Sequence, residues 1–397
     1  MKKSEYFIGR YKKSHLSVLI RNQSRFLDEL MQKYLRAICR QFPVDDRCID
    51  NLLKIEDFEI KPIDIGTTGR AGNLIADYDK ATMTFRYKME MYPNIDTAFL
   101  KNEFPEGLTG EDLNKYKREV LRHIVIFLHE LTHAMNFVEF FRLDEERDDL
   151  VRSNAEEAYK IDGTYYIAHG GLITDRQIVR ANKVEQGTNL NKNYIYEAMT
   201  EFIAHNALLD REFSDIQYFY MDDGITNPFK IDWSYAPFVD IAFALNYLFN
   251  NAFSIAYFTG DTKISGFDKS CLEVDITNIS VPIRMIVKNI KSEDFDPAPY
   301  IKTLVVGIKE FLSYIQETIK REDVKSHLNE ERIENLNQEI KNICNHNDYL
   351  KFIVEDLTFQ MDKENIEKLR GIFESEFKNI KPIVISSEDV LNLNKID

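Results

Sequence analysis

His129-Glu130-Leu131-Thr132-His133 places two imidazoles and a carboxylate within five residues. On a helix, side chains four apart stack on one face, so His129 and His133 can share one Zn2+ while Glu130 stands beside it as a general base. In a chain with 8 histidines, such a string arises by chance on the order of 0.01 times. A hydrolytic zinc site takes three protein ligands and leaves a position for water, so a third ligand must come from elsewhere. The best candidate is Glu197, in YEAMTEFIA, where Ala198, Phe202 and Ile203 mark a buried helix. Glu201 stands one turn further along the same face, where a carboxylate can accept the second ring N–H of a ligand histidine. At this level rivals stay open: Glu156 and Glu157 in the polar SNAEEAY stretch, His169 among glycines, and His205 one turn after Glu201. His123, six residues before His129, points off the zinc face and is expected to be structural.

HELTHAM followed by EAMTEFIA resembles the gluzincin metallopeptidases, above all the thermolysin-like HELTHA helix and the later Glu-Ala-x-Ser/Thr-acid helix. The resemblance implies that His129 and His133 are zinc ligands, Glu130 the general base, Glu197 the third ligand and Glu201 the acid behind a ligand histidine. It covers roughly thirty of 397 residues. It departs from the thermolysin pattern in spacing, with 63 residues between His133 and Glu197, and in lacking a recognisable donor-histidine motif downstream. Aminopeptidase-type gluzincins carry a tyrosine before a helix beyond the glutamate box, and Tyr235 in WSYAP stands comparably, as an oxyanion donor. The implied cofactor is Zn2+ and the implied substrate a protein or peptide. In such enzymes an edge strand holds extended substrate by strand addition, which points to a strand between Leu74 and Met91. The same apparatus would serve a zinc hydrolase of another amide or acyl bond. A third reading is an inactive zincin whose long C-terminal helices form a partner surface. Glu130 separates these readings, because a degenerate site is expected to lose its base first.

The elements that must position these residues are legible in part. Thr109 with Asp112 approximates a capping box, and the 29 residues that follow, through Phe141, contain neither Gly nor Pro. One long, largely apolar helix is expected through them, carrying HExxH within a domain rather than on its surface. Gly163 to Thr174 reads as a small hairpin turning at Gly170-Gly171, and a second helix is expected from about Asn193 to Leu209. Upstream, the β-formers from Leu74 to Met91 predict two strands with a turn at Asp79-Lys80. Gly66, Gly69 and Gly72 do not make a phosphate loop, because no Lys-Ser/Thr follows them. Helical spacing runs from Ser14 to Phe42 and stops at Pro43, and it recurs from Tyr300 to Lys381 without a proline. Tyr235 to Phe258 is apolar but interrupted by Pro237, Asp240 and three asparagines, so it reads as a buried helix pair rather than a membrane span.

Composition bounds the rest. With 51 basic against 66 acidic side chains the net charge is −15, which repels phosphate backbones and argues against nucleic-acid binding. The one dense basic patch is Lys2 to Lys13. Cys39, Cys48, Cys271 and Cys344 are too dispersed for a metal knuckle and read as free thiols of a reducing compartment. No apolar run follows MKKSEYFIGRYKKSH, so the expected location is the producer's cytoplasm, or export as an effector by a route that leaves no mark here. The expected fold is α+β and predominantly helical. It comprises a helical N-terminal segment (1–59), a zincin-like core with a small antiparallel or mixed sheet (60–265), and a helical C-terminal domain (266–397).

Overall fold

A computed structural model describes residues 2–61, 72–79, 84–92, 100–101, 106–136, 138–142, 159–161, 164–170, 190–220, 236–259, 276–290, 292, 294–356 and 363–391. The chain is predominantly helical and groups into two units. The first comprises Met1–Asn182, Thr200–Asp232 and Tyr257–Gly260; the second comprises Lys183–Met199, Trp233–Ala256 and Asp261–Asp397. The division passes through one unbroken helix, Leu190–Leu208, whose residues from Thr200 onward belong with the first unit.

The first unit opens with α1 (Lys3–Lys12), α2 (His15–Gln23), α3 (Arg25–Gln41) and α4 (Asp46–Leu52). Ser14 and Ser24 cap α2 and α3 by accepting the N–H groups of Ser17 and Leu27, which satisfies donors the helix cannot reach. On α3 the residues Leu27, Leu30, Met31, Tyr34, Leu35 and Ile38 recur every three or four positions and are fully buried. Strands β1 (Ile55–Ile60), β2 (Gly72–Asp79) and β3 (Thr84–Met91) form a sheet in the order β1-β3-β2. β2 and β3 are antiparallel, with Asp79 opposite Thr84, whereas β1 runs parallel to β3. The parallel β1–β3 pair makes this sheet mixed, where an antiparallel or mixed sheet was expected. β1 reaches β3 through the intervening β2, a crossover that a tight hairpin cannot make.

α5 (Gly110–Ala134) carries the HExxH residues. Thr109 occupies its N-cap position without a side-chain cap bond, and Gly110 takes φ +56° there. The helix stops at Ala134 instead of running to Phe141. Val138–Arg142 is strand β4, paired with β6 (Thr164–Gly170), which also pairs with β5 (Tyr159–Ile161). VEFFR mixes β-branched and aromatic residues, and its cross-strand partners decide an ambiguity that local periodicity leaves open. Gly170 is not a turn residue: it pairs with Val138, and the β5–β6 register sets Ile161 opposite Thr164. The part of α6 (Leu190–Leu208) from Thr200 onward and α7 (Ser214–Tyr220) complete this unit, together with the end of α9 (Ala252–Thr259).

The second unit contains α8 (Ala236–Leu248), most of α9, α10 (Thr277–Asn289), α11 (Ala298–Thr318), α12 (Glu322–Lys325), α13 (Glu330–Ile343), α14 (His346–Asp356), α15 (Lys363–Phe377) and α16 (Ser387–Leu391). α8 packs on α13 and α10 on α11. At the α10–α11 crossing, Gly307 allows close approach: a Cβ there would lie 2.5 Å from the Asn278 backbone. Among the described residues no helix is long and apolar enough to cross a membrane.

Candidate metal centre

Most of the C-terminal half of α5 is packed, and one stripe is not. Leu121, Ile124, Phe127, Leu128, Leu131 and Thr132 are buried, while Arg122, Ile126, His129 and His133 are only partly covered. Those four positions are separated by four, three and four residues, which is one helix face. Both histidines thus share the side of α5 that remains accessible, with ring centroids 4.5 Å apart. Glu130 faces inward beside them and is 7% exposed.

The third group comes from α6, where Ala198, Met199, Phe202 and Ile203 are buried and hold the helix in place. Glu197 is half-covered on this helix, and one ligand atom each of His129, His133 and Glu197 lie within 4.8 Å of one another. Around a tetrahedral ion with ligands at 2.0–2.2 Å, such atoms stand about 3.4 Å apart, so modest side-chain rotation closes the set. Two imidazoles and one carboxylate suit Zn2+, and their partial exposure suits an ion that keeps a position for water or substrate.

Hydroxyls support this face. Thr200 Oγ1 lies 3.5 Å from His133 Nδ1 and 2.9 Å from the Tyr257 hydroxyl, and Tyr257 donates to the Thr132 carbonyl at 3.1 Å. Thr132 donates through Oγ1 to the Leu128 carbonyl at 2.7 Å, so its 2.5 Å contact with Tyr34 takes the tyrosine's proton. Burial pushes the Tyr34 phenol well above its ordinary range and keeps it neutral. Glu201 is buried and its carboxylate lies 3.7 Å from His205 Nε2. The strand β2 approaches from another side: a Cβ on Gly72 would lie 2.7 Å from Glu130 Oε1 and 2.9 Å from Ile126 Cγ2. Only a glycine lets the strand backbone pass this close to the carboxylate.

His129, His133 and Glu197 are thus brought together, with Glu130 adjacent. His123 is buried, with Nδ1 2.6 Å from the Glu119 carbonyl, and desolvation holds its imidazole below the ordinary value. His205 contacts Glu201 and takes no part in the three-residue group. The backbone of His169 pairs with Glu139 between β6 and β4. Tyr235, Glu156 and Glu157 lie outside the described residues. Thr200, Tyr257 and Gly72 were not singled out as site residues from sequence. Thr200 stands inside the EAMTE peptide, and that adjacency was the available signal. Comparisons with protein-family models, with curated proteins and with solved structures give no match to the chain.

Proposed function

We propose that this chain is a zinc-dependent metallopeptidase with a gluzincin-like core, hydrolysing peptide bonds in a protein or peptide substrate. The observation that carries the reading is the approach of His129, His133 and Glu197 on an accessible face beside a buried Glu130. A zinc ion held there supplies a polarised water and a Lewis acid for the scissile carbonyl. Glu130 takes the proton of the attacking water at a carboxylate oxygen and passes it to the departing amine. Its reach is set by α5 behind it and by Gly72 in front. Among the described residues β2 pairs only with β3, in the order β1-β3-β2, so its other edge is the place for an extended substrate segment. Tyr235 is the proposed donor to the developing oxyanion, on its position in the sequence alone.

The test is cleavage of a peptide library, or of a proteome, by the wild type against Glu130→Gln. Peptides that appear with the wild type and are absent with the variant support a peptidase. Equal patterns from the two proteins would refute it.

A further inference from the structure

Three contacts line up behind His133: Thr200 Oγ1 lies 3.5 Å from its Nδ1 and 2.9 Å from the Tyr257 hydroxyl, which donates to the Thr132 carbonyl at 3.1 Å. The first contact occupies Nδ1 and leaves Nε2, on the far side of the ring, for a ligand. A neutral imidazole that binds a metal through Nε2 carries its proton on Nδ1, and Thr200 Oγ1 stands where it can accept that proton. The three groups come from α6, α9 and α5, and the hydroxyl chain ends on the backbone of α5 one residue before His133.

From this geometry we infer that Thr200 and Tyr257 are positioning residues that hold His133 in its Nδ1–H tautomer, with Nε2 presented to the metal. The inference rests on the metal-site reading and deepens it, since the sequence had pointed to Glu201 for this kind of role. A neutral hydroxyl chain is a weaker acceptor than a carboxylate, so it orients the ring without adding a negative charge beside the site. Anchoring on Thr132 makes the arrangement self-consistent: whatever moves the HExxH turn moves the ring and its restraint together. Both hydroxyl bearers are fully buried, so water does not readily take their place.

Two readouts test this, one of them independent of metal. In metal-free protein with 15N-labelled histidine, long-range imidazole spectra at a pH where the ring is neutral should show His133 as Nδ1–H. Thr200→Ser should preserve that form, and Thr200→Val, which keeps the β-branched shape, should shift it toward Nε2–H. In zinc titrations against a competing chelator, Thr200→Val should bind 10–100-fold more weakly, the usual scale for groups behind a metal ligand. Thr200→Ser should restore most of that loss, with Tyr257→Phe falling between. Unchanged melting of the metal-free variants shows that they fold. An Nε2–H ring in the wild type, or Thr200→Val indistinguishable from wild type in both readouts, overturns the inference. A wild type with a fixed Nδ1–H ring that binds no zinc overturns the metal-site reading instead, and the positioning role falls with it.

Discussion

Two regions bring ionisable side chains together under cover, and they solve the problem differently. On α5 and α6, two histidines and a carboxylate converge on a partly open face, backed by the hydroxyls of Thr200 and Tyr257. In the second unit, Asp240 on α8 meets Glu339 on α13, with Asp348 of α14 adding a further negative field. Burial pushes Asp240 well above the usual carboxylate range, and the charges of Glu339 and Asp348 raise it further. Burial raises Glu339 to about 7, with the Asn342 amide, 3.2 Å away, opposing the shift. No histidine or cysteine joins this pair in a metal-ligand group among the described residues. Carboxyls alone settle the conflict by retaining a proton; mixed nitrogen and oxygen donors on an accessible face suit an ion. Covered polar groups therefore do not by themselves mark a centre of chemistry, and donor type and access separate the two regions.

The comparison breaks most sharply at Glu130. Glu130→Gln should retain zinc and lose at least about a hundredfold in turnover, the scale of a positioned general base, as measured by peptide cleavage with metal content in parallel. Next, Glu197→Ala should lower zinc affinity by more than Glu201→Ala, whose expected loss is about 10–100-fold in chelator competition. The carboxyl variants Asp240→Asn and Glu339→Gln should leave zinc binding unchanged, which sharpens the distinction between the regions. Gly72→Ala should cost roughly a hundredfold in rate with zinc content intact. Its methyl would meet the Glu130 carboxylate at 2.7 Å, and a misplacement of about 1 Å has that consequence for a reacting group.

The smallest effect concerns pH and stability. The pKa of Glu339 is raised from 4.5 to about 7 in the folded protein. Between those values the folded state therefore holds a proton that the unfolded chain releases, and stability falls as pH rises across that window, then levels off above it. Thermal melting from pH 5 to 8 should show a smaller decline for Glu339→Gln than for wild type. Parallel declines would remove the proton-sharing account of the second region.

The three residues that come together were more legible in the sequence than the groups that support them. HExxH announces itself because spacing on a helix is a local property, and Glu197 stood out as a charge among residues with every reason to be buried. The helix expected from about Asn193 to Leu209 is found at Leu190–Leu208. The end of α5 was not legible, because Val138, Phe140 and Phe141 suit helix or strand equally until β6 supplies partners. β1 is hidden in IEDFEI, where charges at three of six positions blur the alternation, and its parallel union with β3 depends on a crossover no local signal specifies. Gly72 reads as loop punctuation in the sequence, whereas in the fold it is the space left for Glu130. Tyr257 reaches Thr200 from 57 residues away, and such a contact exists only once the core is packed.

The central claim is that His129, His133 and Glu197 bind one zinc ion together. Zinc K-edge X-ray absorption on natively purified protein, with metal stoichiometry from the same sample, tests it most directly. The expected result is about one zinc per chain with two imidazoles and light oxygen ligands at about 2.0–2.2 Å, and loss of one imidazole in His133→Ala. Protein that takes up no zinc, or a zinc spectrum unchanged in both His133→Ala and Glu197→Ala, would contradict it.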